Sequence, residues 1–187
     1  TGVVLSPVAM QYRSHELAQI AALLEPRAIV TVRDFKGFDH AALGQELAHA
    51  CGAHCLVAGG QVPEGAAALA TGPATSDDLA LIAQVAAPSA DDVFTICWTS
   101  GTEGRPKGVP RTHNQWIAIS YAHFEAAKIA PGDVLLNPFP MINMAAIGGC
   151  FLSWLHAAGT LLLHHPFDPQ VYLRQIAIER PQYAIAP

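Results

Sequence analysis

The segment VFTICWTSGTEGRPKGV, residues 93–109, decides how the rest of the chain is interpreted. Its first six residues are β-branched, aromatic or otherwise apolar, which predicts a buried strand over 93–98. The loop that follows carries hydroxyl groups on Thr99, Ser100 and Thr102. A loop at the carboxyl end of a buried strand lies where α/β folds bind their ligands. We therefore expect these hydroxyl groups to face a ligand.

The backbone of the same loop is suited to a polyanion. Gly101 and Gly104 allow geometries that turn several N–H groups inward and let phosphates approach closely. Pro106 stiffens the exit of the loop, and Lys107 adds a positive charge. These features together predict a cradle for a triphosphate. Two plainer interpretations stay open: a solvated Gly/Thr turn, and an exposed lysine that only ends the loop.

Other nucleotide-binding motifs do not fit this loop. The P-loop of kinase-type NTPases requires Gly-Lys followed by Ser or Thr at the start of a helix. Here Lys107 follows Pro106 and precedes Gly108-Val109, so we expect the chain to continue in an extended conformation. The glycine pattern of dinucleotide-binding folds is also absent.

The composition indicates a folded, soluble protein. Hydrophobic residues make up 51% of the 187 residues and charged residues 13%, so disorder is not expected. A net charge of -5 gives no sign of binding to nucleic acid or to an anionic membrane surface. The apolar runs are shorter than a membrane span, and the chain does not open on a secretory signal. We expect a cytoplasmic location.

The cysteines are expected to be reduced and mostly buried, because they are scattered through apolar segments. One cluster, HACGAHC, places His49, Cys51, His54 and Cys55 within seven residues, and zinc could use such ligands. However, the stretch reads as a helix end, a turn at Gly52 and a strand start, which would point the four side chains in different directions. We therefore predict no metal site there.

Short β-rich runs alternate with segments of helical periodicity along the chain. Asp39 and Asp168 precede two of the predicted helices as capping residues, and a mostly apolar helix is predicted over 144–157. This alternation, with apolar strands, predicts an α/β fold with a layered, mainly parallel sheet and helices on both faces. The strands over 27–32, 54–58 and 93–98 are expected in one sheet. Further strands are predicted over 133–137 and 160–164, and further helices over residues 17–24, 76–85 and 114–128.

Both ends of the chain lie inside strand-like segments, GVVLSPV and YAIAP. Domain boundaries usually fall in exposed linkers. We therefore expect the chain to be a piece of a longer protein. Within it we predict a first α/β lobe over 1–98, a phosphate-binding loop and its exit over 99–113, and the start of a second lobe over 114–187.

The loop resembles the signature of the adenylate-forming superfamily, which includes acyl-CoA synthetases, luciferases and peptide-synthetase adenylation domains. That signature is a hydrophobic residue, two free positions and a Thr/Ser-Gly-Thr-x-Gly-x-Pro-Lys run, and residues 96–107 fit it. Thr112-His113-Asn114 is similar to the continuation of the motif. Residues 2–32 and 159–187 are similar to strand-helix-strand segments of the large N-terminal domain of that superfamily. The resemblance spans essentially the whole chain.

The resemblance implies a two-step reaction. ATP and a small-molecule carboxylic acid give an acyl-adenylate and pyrophosphate, and coenzyme A then forms a thioester. It also implies that the loop holds the β- and γ-phosphates, that Thr99 helps to hold Mg²⁺, and that Lys107 neutralises phosphate charge. The implied ATP-binding residues are Thr99, Ser100, Gly101, Thr102, Glu103, Gly104 and Lys107.

NPFPMINMAAIGG, residues 137–149, resembles the next motif of the superfamily, beside the acyl site. That motif often contains Pro-Leu-Phe-His, where this chain has Pro140 to Asn143. Asn143 can hydrogen-bond near a bound acid. It can equally serve as the N-cap of the helix that follows.

The parts of the superfamily that hold adenine and ribose, supply an acidic Mg²⁺ ligand and carry the C-terminal domain are not found in this sequence. We therefore expect activity to require the remainder of the parent enzyme. The motif does not separate an acyl-CoA synthetase from an amino-acid or aryl-acid adenylating domain that loads a carrier protein. A non-catalytic phosphate-binding module is a further alternative. The sequence leaves both the acid substrate and a possible homodimer open.

Overall fold

A computed structural model describes residues 2–85, 87–99 and 106–186 of the chain. The chain divides into two compact units. The small unit contains residues 10–85, and Lys107 is also grouped with it. The large unit contains residues 2–9, 87–99 and 108–186.

The small unit is a short parallel sheet with a helix on one face. Its central strands pair in register, from Ala28 beside His54 to Val32 beside Ala58. The core between this sheet and the second helix contains Ala41 and Val57. In chain order its elements are α1 (Ser14–Leu24), β1 (Ala28–Val32), β2 (Asp34–Phe35), β3 (Phe38–Asp39), α2 (His40–Cys51), β4 (His54–Ala58), β5 (Ala67–Ala68) and α3 (Ser76–Gln84).

The large unit contains two sheets. In one, β6 (Val93–Thr99) pairs with β7 (Lys107–Thr112). The other is parallel, in the order β10-β8-β9. The remaining elements are α4 (His113–Ala126), β8 (Val134–Asn137), a π-helix (Ala145–Leu152), α5 (Ser153–Ala157), β9 (Thr160–Leu163), α6 (Pro169–Glu179) and β10 (Tyr183–Ala184).

The capping signals of the sequence act as predicted. The Asp39 carboxylate accepts the Ala42 N–H at 2.8 Å at the start of α2. The Asp168 carboxylate accepts the N–H groups of Gln170 and Val171 at 2.8 and 3.1 Å, and Pro169 is the first residue of α6. Each carboxylate therefore satisfies backbone donors that have no partner inside the helix.

Close packing in the large unit depends on small residues. A Cβ on Gly148 would lie 3.2 Å from both the Trp116 ring and Ile119 Cγ2. A Cβ on Gly159 would overlap the carbonyl oxygen of Asp133. These glycines bring the π-helix against α4, and the start of β9 against the turn before β8.

The α/β class with parallel sheets is confirmed, but the prediction of one sheet for three strands is wrong. The strands over 27–32 and 54–58 pair with each other, whereas β6 belongs to a separate sheet with β7. An apolar run shows that a segment is a buried strand and does not show its neighbour. The helix predicted over 144–157 is also not uniformly α-helical, because Ala145–Leu152 form a π-helix.

In the part of the chain that the structure describes, no helix is long and apolar enough to cross a membrane.

Candidate functional site

The two ends of the candidate phosphate loop lie on the surface. Thr99 is the last residue of β6 and Lys107 is the first residue of β7, and both are exposed. The extended conformation predicted after Lys107 is confirmed by β7. The predicted ligand-binding residues Ser100, Gly101, Thr102, Glu103 and Gly104 lie outside the described residues. Their roles therefore stay predictions.

The strand that leads into the loop is held by the N-terminal segment of the large unit. The indole N–H of Trp98 donates to Ser6 Oγ at 2.8 Å, and Ser6 Oγ donates to the Ile96 carbonyl at 3.3 Å. The Leu5 N–H donates to the Phe94 carbonyl, and the Leu5 carbonyl accepts the Ile96 N–H. The residue just before Thr99 is thus fixed by a partner about ninety positions away. Sequence patterns carry no signal for this contact.

Gly108 lets β7 lie close to β6 directly after Lys107. A Cβ at this position would lie 2.9 Å from Ile96 Cγ2 and 3.2 Å from the Trp98 ring. The first distance is shorter than real Cβ contacts, so any side chain here would force either the Ile96 side chain or the strand to shift. The glycine after the lysine therefore has a packing reason, independent of any ligand.

The motif residues after β7 hold the start of α4. Thr112 and Gln115 form a capping box, in which Thr112 Oγ1 accepts the Gln115 N–H at 3.2 Å. The imidazole of His113 stacks on Phe94, with ring centroids 5.0 Å apart. The Asn114 side chain donates to the Asp91 carboxylate at 2.7 Å. These three side chains thus have structural partners.

Buried hydrogen bonds fix the base of β6 against α4. Thr95 is 2% exposed, and its Oγ1 accepts the indole N–H of Trp116 at 2.8 Å. Trp116 is 1% exposed. No sequence pattern identifies this pair, because a threonine inside a strand and a tryptophan inside a helix are each ordinary.

The carboxyl ends of β8 and β9 are also rigidly bonded. The side-chain oxygen of the buried Asn137 accepts the Phe139 N–H at 3.0 Å, and the Asn137 carbonyl accepts the His164 N–H at 2.9 Å. His164 Nε2 accepts the Asp168 N–H at 2.8 Å, so the Nδ1–H of the neutral ring donates to Gln175 Oε1. Both nitrogens of His164 are therefore used inside the protein.

Asn143 has the capping role that the sequence left open. Its side-chain oxygen accepts the Ala146 N–H at 3.0 Å, at the start of the helical stretch from Met144. The residue is exposed, and an amide keeps its NH₂ group as a donor while its oxygen caps a helix. A substrate contact by Asn143 stays a prediction. Next to it, Arg111 places Nη2 3.3 Å from Met144 Sδ, a cation that sequence reasoning missed.

The large unit also contains a polar cluster, in which the half-buried His123 and Tyr183 meet the fully buried Ser153. Imidazole Nε2 lies 2.8 Å from the Tyr183 hydroxyl, and Nδ1 lies 3.1 Å from Ser153 Oγ. Burial lowers the pKa of His123. Burial also raises the pKa of Tyr183 and that of the nearby thiol of Cys150 to about 12.

The histidine and cysteine cluster is divided between two elements of the small unit. His49 and Cys51 lie in α2, whereas His54 and Cys55 lie in β4. Cys55 is buried in the core and His54 is exposed. Among the residues that the structure describes, no three His, Cys, Asp or Glu side chains are grouped so that they could hold a metal ion.

Comparison with known proteins gives a family match over the whole chain. The family profile described as AMP-binding enzyme matches residues 1–187. A CoA ligase of Mycobacterium tuberculosis, named 3-[(3aS,4S,7aS)-7a-methyl-1,5-dioxo-octahydro-1H-inden-4-yl]propanoyl:CoA ligase, is 36% identical over 119 residues, which are 64% of this chain and 23% of that protein. A feruloyl-CoA synthase of Amycolatopsis is 35% identical over 92 residues, which are 48% of this chain and 18% of that protein.

The fold has a counterpart among solved structures. ATP-bound MatB from Rhodopseudomonas palustris superposes with a TM-score of 0.70 at 24% identity, over 94% of this chain and 33% of that one. This likeness shows a shared fold. The chain spans about a quarter or less of the curated relatives named above, and about a third of the solved structure.

Proposed function

Because the chain belongs to the AMP-binding enzyme family, we propose that it carries the phosphate-binding part of an AMP-forming acid–CoA ligase. The observation that carries the proposal is that the described ends of the signature, Thr99 on β6 and Lys107 on β7, are both exposed. The two curated relatives named above are a CoA ligase and a CoA synthase, which supports thioester formation as the second half-reaction.

The first half-reaction requires stabilisation of the negative charge that develops on the leaving phosphates. A carboxylate oxygen of the acid attacks the α-phosphorus of ATP, the bond between that phosphorus and the α,β-bridging oxygen breaks, and pyrophosphate leaves with the extra negative charge. The backbone N–H groups and hydroxyls of 99–104 would bind the departing phosphates. The exposed Lys107 ammonium would offset the developing charge. Mg²⁺ prefers oxygen ligands, and the exposed Thr99 hydroxyl at the strand end fits such a role beside the phosphates.

Both half-reactions need a place that holds the acyl part of the acid. The exposed Asn143 follows the loop after β8, at the edge of a parallel sheet where α/β folds bind ligands. We propose that its free amide N–H donates to the acid while its oxygen caps the helix. The thiol of coenzyme A then attacks the acyl carbon and releases AMP. Residues outside 1–187 would complete this site, and the loop over 99–113 would join the two lobes proposed from the sequence.

Carboxylate-dependent ATP–pyrophosphate exchange tests the first half-reaction. It should be run on the full natural chain that contains these residues, with Lys107→Ala as the variant. Loss of one charge-stabilising group at the reacting phosphates should slow exchange about 100-fold or more. Arg174→Ala is the matched control, because Arg174 is an exposed cation on α6.

Two results would overturn the proposal. One is the absence of exchange with every class of carboxylic acid, and the other is an unchanged rate in Lys107→Ala. Exchange followed by transfer to a carrier protein, with none to coenzyme A, would replace the ligase by an amino-acid or aryl-acid adenylating domain.

A further inference from the structure

A chain of polar groups crosses the packed interior of the large unit. It joins His123 of α4 to Ser153 of α5 and to Tyr183 of β10. Ser153 Oγ also lies 3.2 Å from the Gly148 carbonyl and 3.4 Å from the Ser120 carbonyl. Three elements distant in sequence therefore meet at one imidazole ring.

When His123 is neutral, the donors and acceptors of this cluster match in one arrangement. Both carbonyls can only accept, so the single proton of Ser153 Oγ is donated to them. The hydroxyl must then accept from His123 Nδ1–H, which leaves Nε2 as the acceptor for the Tyr183 O–H. In this arrangement the neutral ring uses both of its nitrogens inside the protein.

Among the residues that the structure describes, no anion faces His123 to balance a positive charge on its ring. The titratable groups around it are Tyr183 on β10, Cys150 on the π-helix, Tyr172 on α6 and, through Ser120, His156 on α5. Burial raises the pKa of Tyr183, Cys150 and Tyr172, so none of these is an anion near neutral pH. Protonation of Nε2 would also reverse its hydrogen bond with Tyr183. The Tyr183 hydroxyl would then accept from the ring, and its own proton would have to turn away.

The strand held by this cluster ends at the ligand-binding edge of its sheet. β10 runs parallel to β8, with Tyr183 beside Leu135 and Ala184 beside Leu136. The next residue, Ile185, is held by the Tyr172 hydroxyl, which donates to its carbonyl at 2.7 Å. The Ile185 side chain lies against Gly149 of the π-helix, where an added Cβ would be 3.6 Å from its Cδ1. In parallel sheets, ligands bind beyond the carboxyl ends of the strands.

We propose that neutral His123 is a positioning residue that, through Tyr183 at the start of β10, holds this strand as a wall of the acid-binding site. Protonation of His123 loosens this wall and weakens binding of the acid. The inference rests on the proposed function. It concerns the shape of the site, because neither His123 nor Tyr183 is assigned to the reacting atoms.

The test is the pH profile of ATP–pyrophosphate exchange in the full natural chain. The KM for the acid should rise by up to about tenfold for each pH unit below the pKa of His123, while kcat changes less. His123→Gln keeps an acceptor for Tyr183 and a donor for Ser153 but cannot titrate. The KM of this variant should therefore change little over the pH range in which the wild-type KM rises. His156→Gln is the matched control, because it removes an exposed histidine that does not contact Tyr183.

A second readout does not need activity. The His123 ring should titrate below its ordinary pKa in the NMR spectrum, and Tyr183→Phe should raise that pKa, because the neutral ring loses its hydroxyl donor. Tyr183→Phe should also raise the KM for the acid about tenfold, as expected for one broken buried hydrogen bond.

The outcomes separate this inference from the proposed function. Absence of exchange in the wild type removes the proposed function, and the NMR titration still tests the state of His123. If His123→Gln shows exchange and its KM rises at low pH as much as that of the wild type, the inference is overturned. If the KM of His156→Gln does not rise at low pH, the inference is overturned as well.

Discussion

Two threonines of one strand, four residues apart, have opposite surroundings. Thr95 is 2% exposed and accepts a hydrogen bond from the buried indole of Trp116. Thr99 ends the strand and is exposed, at the start of the candidate phosphate loop. The same residue type thus serves the core at one end of β6 and faces solvent at the other. Position along the strand, and not chemistry, separates the two roles.

The same contrast extends to the neighbours of each threonine. Around Thr95 the packing leaves no space, because Trp116 lies against Gly148 of the π-helix. At the other end, the exposed Lys107 begins β7 and adds little to a core. We therefore expect substitutions in the packed part to change stability, and substitutions at the loop ends to change activity.

The largest effect on stability is expected from Gly159→Ala. The new Cβ would overlap the Asp133 carbonyl, which is backbone and cannot move aside cheaply. We expect a loss of about 3 kcal/mol in the free energy of unfolding, measured by denaturant titration. Gly72→Ala is the control, because no atom lies within 4 Å of its added Cβ. Equal stability of the two variants would contradict the close packing described here.

Thr95→Val should have the second-largest effect on stability. The change keeps the shape of the side chain but removes the acceptor of the Trp116 indole N–H, which then has no partner in the core. We expect a loss of about 2 kcal/mol in the free energy of unfolding. The double variant Thr95→Val with Trp116→Phe should lose less than the two single losses added together, because both act on one bond.

Asp168→Ala gives an intermediate case, an exposed residue with a structural role. Its carboxylate satisfies two N–H groups at the start of α6. We expect Asp168→Ala to lower the free energy of unfolding, measured by denaturant titration, by about 1 kcal/mol. Asp168→Asn should recover most of it, since asparagine is also a good cap. A loss of the same size in Asp168→Asn would show that charge, and not capping, is responsible.

Thr99→Val should have the smallest effect on stability, within about 0.5 kcal/mol, because the residue is exposed at a strand end. If Thr99 binds phosphate or Mg²⁺, the same variant should slow ATP–pyrophosphate exchange markedly. A clear loss of stability with unchanged exchange would reverse the contrast between the two threonines.

Stability should also depend on pH through His123. Its pKa is lowered in the folded chain, so the native state binds fewer protons than the unfolded chain near the ordinary value of about 6.5. The contribution of the neutral ring to the free energy of unfolding is therefore complete above about pH 6.5 and is lost as the pH falls below this value. Denaturant titration between pH 8 and pH 5, with His123→Gln for comparison, should show a smaller acid-side loss in the variant.

Local features of the fold could be read from the sequence. The caps at Asp39 and Asp168 follow from a carboxylate placed before an apolar helix, and the strands over 27–32 and 54–58 follow from apolar runs. Pairing between strands could not be read, since hydrogen bonding along β6 depends on which backbone lies beside it. The sheet that joins β6 to β7 was therefore missed.

The candidate site was predictable to a similar degree. The loop signature is local, so its position between Thr99 and Lys107 could be identified from residues alone. The supports of the site are not local: Ser6 bonds Trp98 over ninety positions, and His123 bonds Tyr183 over sixty. Such contacts depend on the folded path of the backbone, and single residues give no sign of them.

The π-helix over Ala145–Leu152 makes the rotational phase of the following helix sensitive to chain length. Its i→i+5 bonding places more residues in each turn than the α-helix has. Deletion of one residue there, with the bonding pattern unchanged, would rotate everything after it by the angle of one residue, on the order of 100°. Ser153 would then leave His123, and the start of β9 would lose its place beside β8. Insertions and deletions should therefore be tolerated far less in this segment than in the loops of the small unit.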